Sequence, residues 1–177
     1  MADTSTKGEK KEMSMEDLDQ VVGGLIRGTV GNDTLEGTDG NDYMYGDKGA
    51  DLISGGDGND TLDGGVNDHA DDTLIGGEGN DTAYWGLNDD GSDTFEGGIG
   101  DDTLKIDLPY GVSLQDSYNS GDWDIEVKDA AGNPVTITDD MWDNHGNLIL
   151  PPESSGVITA AGGNTLTFSG VETIGSL

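Results

Sequence analysis

Residues 55–63, GGDGNDTLD, set a frame: two glycines, a variable residue, a third glycine, a polar residue, an aspartate, then a short Thr-Leu-Asp alternation. Upstream the same nine-residue frame appears as GTVGNDTLE (28–36), GTDGNDYMY (37–45) and GDKGADLIS (46–54). Downstream it continues as GGVNDHADDTLI (64–75), GGEGNDTAY (76–84), WGLNDDGSDTFE (85–96) and GGIGDDTLK (97–105). Eight units tile Gly28 to Lys105 with no residue left over. Once three extra residues are allowed in each of the two long units, the sixth slot is always aspartate: Asp33, Asp42, Asp51, Asp60, Asp72, Asp81, Asp93 and Asp102.

Glycines at the first, second and fourth slots permit the positive-φ or crowded backbone of a tight turn and leave its carbonyls uncovered by side chains. The second half of each unit alternates like a very short strand, its eighth slot facing one way and its neighbours the other. The predicted inward residues are Leu35, Met44, Ile53, Leu62, Leu74, Ala83, Phe95 and Leu104.

Outside the repeat, composition narrows the options. The 177 residues hold 37 Asp+Glu against 7 Lys+Arg, a formal charge of -30, with 31 Gly, no Cys and 32% hydrophobic residues. Such a chain repels nucleic acid and anionic lipid, and its complement is a cation. Without cysteine there are no disulfide staples or thiolate metal sites. No apolar run has membrane-spanning length and no ordinary signal peptide opens the chain, so membrane insertion is not expected. Acidic Gly-rich sequence in a single copy would be a solvated linker; eight in-frame units with an apolar beat favour an ordered array.

The units resemble the RTX calcium-binding nonapeptide, G-G-x-G-x-D-x-U-x, where U is a large apolar residue. That resemblance implies an all-β fold, a parallel β-roll of about four coils with two units per coil. Alternate units then share an edge, with Asp33, Asp51, Asp72 and Asp93 on one and Asp42, Asp60, Asp81 and Asp102 on the other. Six same-edge pairs bracket sites: Asp33 with Asp51, Asp51 with Asp72, Asp72 with Asp93, Asp42 with Asp60, Asp60 with Asp81, and Asp81 with Asp102. Calcium takes six to eight oxygens at roughly 2.3–2.6 Å in irregular geometry, which suits such sites better than magnesium's strict octahedron. About six Ca2+ are expected, with carbonyls drawn from turn glycines such as Gly49, Gly58, Gly79 and Gly91. Lanthanides would satisfy the same oxygen chemistry. The apolar seam is too slim to offset the entropy of ordering the array, so the roll is expected to be unfolded without metal.

Residues 13–24, MSMEDLDQVVGG, resemble the double-glycine leader of bacteriocin-type exported peptides. Apolar residues stand at the fourth, seventh and twelfth places back from Gly24, namely Val21, Leu18 and Met13. The resemblance implies an ABC-type exporter as partner and cleavage between Gly24 and Leu25. A plain mobile tail is the alternative. The leader also raises a processed bacteriocin-like toxin, which the acidity of residues 25–177 disfavours, since membrane-active peptides are usually basic and amphipathic.

The inserts Asn67-Asp68-His69 and Asn88-Asp89-Asp90 fall on one edge and read as loop growth, with His69 as a ligand for a softer metal the alternative. Trp85, where glycine usually opens a unit, departs from the motif. Residues 106–177 lack the repeat but carry β signals at Val112–Leu114, Trp123–Val127, Val135–Thr138, Leu148–Leu150 and Thr165–Phe168, with a turn at Gly132-Asn133-Pro134. Solenoid ends must be covered, and this segment is expected to be that cap, with Trp123, Trp142 and Phe168 near the last coil.

Neither H-E-x-x-H nor G-x-S-x-G occurs, and the only histidines are His69 and His145, so a non-enzyme is expected. The expected organisation is a leader or tail over 1–24, a roll over 25–105 and a β-rich cap over 106–177. The expected function is that of a secreted, extracellular or cell-surface calcium-binding protein in a structural, matrix or ion-buffering role.

Overall fold

The computed structural model describes residues 23–65, 69–86, 91–108, 112–121, 123–160 and 163–177. Short parallel strands dominate its first half: β1 (Leu25–Arg27), β2 (Thr34–Glu36), β3 (Tyr43–Tyr45), β4 (Leu52–Asp57), β5 (Thr61–Asp63), β6 (Thr73–Glu78), β7 (Thr82–Gly86), β8 (Ser92–Ile99) and β9 (Thr103–Asp107). Each strand pairs with the next but one. One sheet runs β1-β3-β5-β7-β9 and the other β2-β4-β6-β8, so successive units alternate between two stacked sheets. This is the parallel β-roll of about four coils.

Register is set by the inward slots. Leu35, Ile53, Leu74 and Phe95 align in one sheet, and Ile26, Met44, Leu62, Ala83 and Leu104 in the other. A one-residue slip would turn each row outward, and that fixes the pairing. The predicted inward residues are all buried except Leu35, which is partly buried at the first coil. Strand β1 is a half-unit that precedes the first full repeat. Its Ile26 stands two residues before Gly28, where an eighth slot belongs, and this spacing was available in the sequence.

The second half is α1 (Leu114–Ser120), β10 (Trp123–Lys128), β11 (Pro134–Val135), a 3-10 turn at Asp139–Met141, β12 (Leu148–Ala160) and β13 (Thr165–Ser176). Strands β10, β12 and β13 are antiparallel neighbours. β13 then joins the roll and caps both sheets. Its first half pairs with β8, Phe168 beside Phe95, and its second half with β9, Ile174 beside Leu104.

The strand expected at Val112–Leu114 is instead the start of α1. Ser113 Oγ accepts the Asp116 N–H at 3.1 Å while its hydroxyl donates to Asp116 Oδ2, and Gly121 ends the helix at φ 81. This local capping outcompetes the β-branched signal of one valine. The strand expected at Val135–Thr138 shrinks to Pro134–Val135, although the Gly132 turn does join it to β10 as a hairpin. Strands β12 and β13 are longer than expected. The Pro151-Pro152 pair is accommodated where the β12/β13 register shifts between Ile149 and Ser154, in an irregular stretch that tolerates missing N–H donors. Phe168 and Trp123 are buried, the latter meeting Trp85 edge-on at 5.7 Å between ring centroids. Trp142 packs on Tyr118 of α1 within the cap.

Candidate metal centres in the turns

Sixth and eighth slots share a face of each strand, so every aspartate is carried inward with the apolar row. Seven of the eight are buried, from Asp93 at 4% exposed to Asp102 at 0%, and Asp33 is half-buried. Along each edge the carboxylates form a ladder. The N–H of Asp33 donates to Asp51 Oδ1, Asp51 to Asp72 and Asp72 to Asp93 at 2.7–2.8 Å. On the other edge Asp42 donates to Asp60, Asp60 to Asp81 and Asp81 to Asp102 at 2.7–2.8 Å. These are the six same-edge pairs expected from the repeat. Outside them a second, exposed ladder of fifth-slot side chains, in which the Asn59 N–H donates to Asn41 Oδ1 and the Asn80 N–H to Asn59 Oδ1, accounts for the recurrent Asn before the aspartate.

One carboxylate oxygen serves the ladder; the other is the chemically open one. Oδ2 of Asp60, Asp81 and Asp102 is buried with no hydrogen-bond partner. It curls over the first-slot glycine of its own unit, where the first-slot carbonyl of the next turn on that edge also arrives. A methyl on Gly55 would strike Asp60 Oδ2 and approach the Gly76 carbonyl; a methyl on Gly76 would strike Asp81 Oδ2 and the Gly97 carbonyl. Glycine is required there because a side chain would occupy the space in which these oxygens meet.

Burial is the main reason that the Asp60 and Asp102 carboxyls are pushed up to about 6. Backbone N–H donors, from Asp42 and Asp81 respectively, pull the other way, and neighbouring carboxylates add to the rise. Asp81 is raised by the same burial. Buried, anionic oxygen atoms without donors are what a hard cation satisfies. Among the described residues no three His, Cys, Asp or Glu side chains converge; the turns at Asp60 and Asp81 each bring together two carboxylates of the ladder and one first-slot carbonyl.

The fourth-slot glycines Gly49, Gly58 and Gly79 hold φ of 105, 127 and 125. They stack so closely that a methyl on Gly79 would strike the Gly58 carbonyl, and one on Gly91 the Ala70 carbonyl. The carbonyls beside the open oxygens of Asp60 and Asp81 are first-slot ones, those of Gly76 and Gly97. Their signal was the recurrence of glycine itself at that slot.

Three units provide donors of their own. Thr29 and Thr38, at the second slot of the first two units, each donate both N–H and hydroxyl to Oδ2 of Asp33 and Asp42. A cation entering those turns would compete with the threonine. In the seventh unit Trp85 takes the glycine's place, and its indole N–H donates to Asp93 Oδ2 at 2.8 Å. The departure from the motif thus closes an edge of the roll. Of the inserts, Asn67, Asp68 and Asn88–Asp90 lie outside the described residues, as do residues 1–22; His69 is exposed, with φ 62.

A family model for the RTX calcium-binding nonapeptide repeat matches residues 36–68, 70–84 and 87–105 in four copies. These turns are RTX calcium-binding repeats. The matched segments run from the end of the first unit through the eighth, and they mark this as a calcium-binding protein. No curated protein matches the chain.

Proposed function

We propose that this is a secreted calcium-binding protein whose RTX roll folds when Ca2+ enters its turns, serving a structural, surface, matrix or ion-buffering role without catalysis. The observation that carries this reading is the set of buried carboxylate oxygens of Asp60, Asp81 and Asp102, which meet bare backbone carbonyls and have no protein donor. The ligands would be the eight sixth-slot aspartates with first-slot carbonyls, and Gly49, Gly58, Gly79 and Gly91 as further carbonyl sources. Calcium would supply positive charge between the layers. The chain's own residues orient the oxygens: the ladder of aspartate N–H donors fixes six of the eight carboxylates, Thr29 and Thr38 hold those of Asp33 and Asp42, and the glycines hold the space open.

Folding then follows calcium concentration. Metal at ten times its dissociation constant adds about 1.4 kcal/mol per independent site, which accumulates along the array. Millimolar extracellular calcium would fold a roll that calcium-poor cytosol leaves loose, as suits passage of an unfolded chain through the ABC-type exporter that the leader resemblance implies. Among the described residues no helix is long and apolar enough to cross a membrane. Circular dichroism of the full chain under calcium titration, with magnesium as control, tests the reading. A calcium-specific gain of β-structure is expected. Identical spectra in chelator and in millimolar calcium would refute it.

A further inference from the structure

The two edges of the roll end differently against the cap. On one, Asp93 is followed in register by Leu166, which has no carboxylate, and the Trp85 indole N–H occupies Asp93 Oδ2. On the other, the ladder does not stop. The N–H of Asp102 donates to Oε2 of Glu172 at 2.8 Å, just as the N–H of Asp81 donates to Asp102 Oδ1 at 2.7 Å. The N–H groups of Glu172 and Thr173 both donate to the Asp102 carbonyl, as that of Thr103 does to the Asp81 carbonyl. Glu172 therefore stands in a sixth slot although no nonapeptide surrounds it.

The carbonyl partner is reproduced as well. A methyl on Gly97 would strike the Gly170 carbonyl and come within 2.6 Å of Asp102 Oδ2, the arrangement that the Gly97 carbonyl and Asp81 Oδ2 make over Gly76. Between Ser169, paired with Glu96, and Thr173, paired with Thr103, the cap has three residues where a repeat has six. The extra methylene of glutamate over aspartate serves this shorter turn. Its other oxygen, Oε1, accepts the Glu153 N–H at 2.7 Å, and Glu153 is held at φ 56, a backbone state unfavourable for a non-glycine residue. Asp102 is fully buried and its Oδ2 has no partner, so this junction has the open anionic oxygen that Trp85 closes on the opposite edge.

From this geometry we infer an additional divalent-cation site at the junction of roll and cap, formed by the carboxylates of Asp102 and Glu172 and the carbonyl of Gly170. It takes the same hard, oxygen-preferring cation as the turns, and so rests on the calcium reading above. It places one ion between a repeat and a segment that no repeat pattern covers, while the strand pairs of β13 with β8 and β9 seat the cap on the roll.

Calorimetric titration of the full chain with calcium chloride alone tests the site by counting. Glu172→Gln keeps an amide oxygen able to accept the Asp102 N–H while removing the charge. It is expected to bind one calcium fewer than wild type, with an unchanged near-ultraviolet dichroism spectrum in saturating calcium. Asp102→Asn, which belongs to two sites, is expected to lose two equivalents. A Glu172→Gln chain with the full wild-type count overturns the inference. If that variant does not regain the wild-type spectrum, Asp102→Asn decides: two lost equivalents support the site and one overturns it. A wild-type chain that binds no calcium would instead sink the general reading.

Discussion

The interior of the roll and the interior of the cap are built on opposite terms. Among the described residues every buried carboxylate lies in the roll, whereas the cap buries Trp123, Ile125, Val127, Leu148, Ile158 and Leu166 with only Ser117 and Ser154 as buried polar side chains. Each full repeat of the roll contributes an eighth-slot apolar residue and an aspartate to a seam between parallel sheets, with Trp85 and Ile106 added near the cap; cap strands alternate over a wider antiparallel surface. The cap is thus stabilised by hydrocarbon at any calcium level. The roll carries an internal electrostatic cost that a cation must offset.

The largest break in this contrast should come from Asp60→Ala with Asp81→Ala, which touches three bracketed pairs on one edge. The calcium midpoint for folding, followed by circular dichroism, should rise by at least about tenfold with fewer ions bound. Unchanged stoichiometry would remove these aspartates from the sites. Next, Ile158→Ala opens the cap where Ile158 faces Ile125 and Leu166. It should cost about 2–5 kcal/mol in denaturant titration at saturating calcium, with the number of bound ions kept.

Gly76→Ala sharpens the contrast from the roll's side, since its methyl meets the Asp81 carboxylate and the Gly97 backbone. About 1–3 kcal/mol of calcium-loaded stability should be lost, with one calcium equivalent. Trp85→Phe removes the donor to Asp93 and should cost about 1–2 kcal/mol by thermal denaturation without reducing the calcium count.

The smallest effect is one of pH. Because Asp60 and Asp102 are raised to about 6 in the metal-free roll, the folded form holds protons that the unfolded chain releases nearer 3.8. Metal-free stability is therefore greatest below about 4 and is lost as pH rises through about 6. Calcium affinity runs the other way, weakening on acidification as protons compete for the carboxylates. In chelator, dichroism at pH 4.5 should show more β-structure than at pH 7.5; a fall on acidification would contradict the buried-carboxylate account.

Much of the roll was legible because its information is periodic. Asp33 through Asp102 at one slot and Leu35 through Leu104 two slots later fix which way each strand faces. Edge membership followed from the two units per coil that the RTX resemblance implies, and strand length escaped the repeat, since β4 and β6 have six residues and β8 has eight. The cap was less so. Its strand signals at Trp123–Val127 and Thr165–Phe168 held, but Ser113 and Asp116 converted a presumed strand into a helix start, and β12 ran on past two prolines. Nothing in the neighbourhood of Glu172 distinguishes it from the other acids of 106–177, since its partners Asp102 and Glu153 are 70 and 19 residues away.

By itself the sequence determined the repeat, the inward rows and the oxygen chemistry of the turns, because each depends on spacing within a unit of nine or twelve residues. Tertiary structure alone decided which carbonyl meets which carboxylate, how Trp85 closes one edge, and where Glu172 continues the other. Those contacts join residues from different coils or from roll and cap, and their distances are set by stacking rather than by any local preference of the chain.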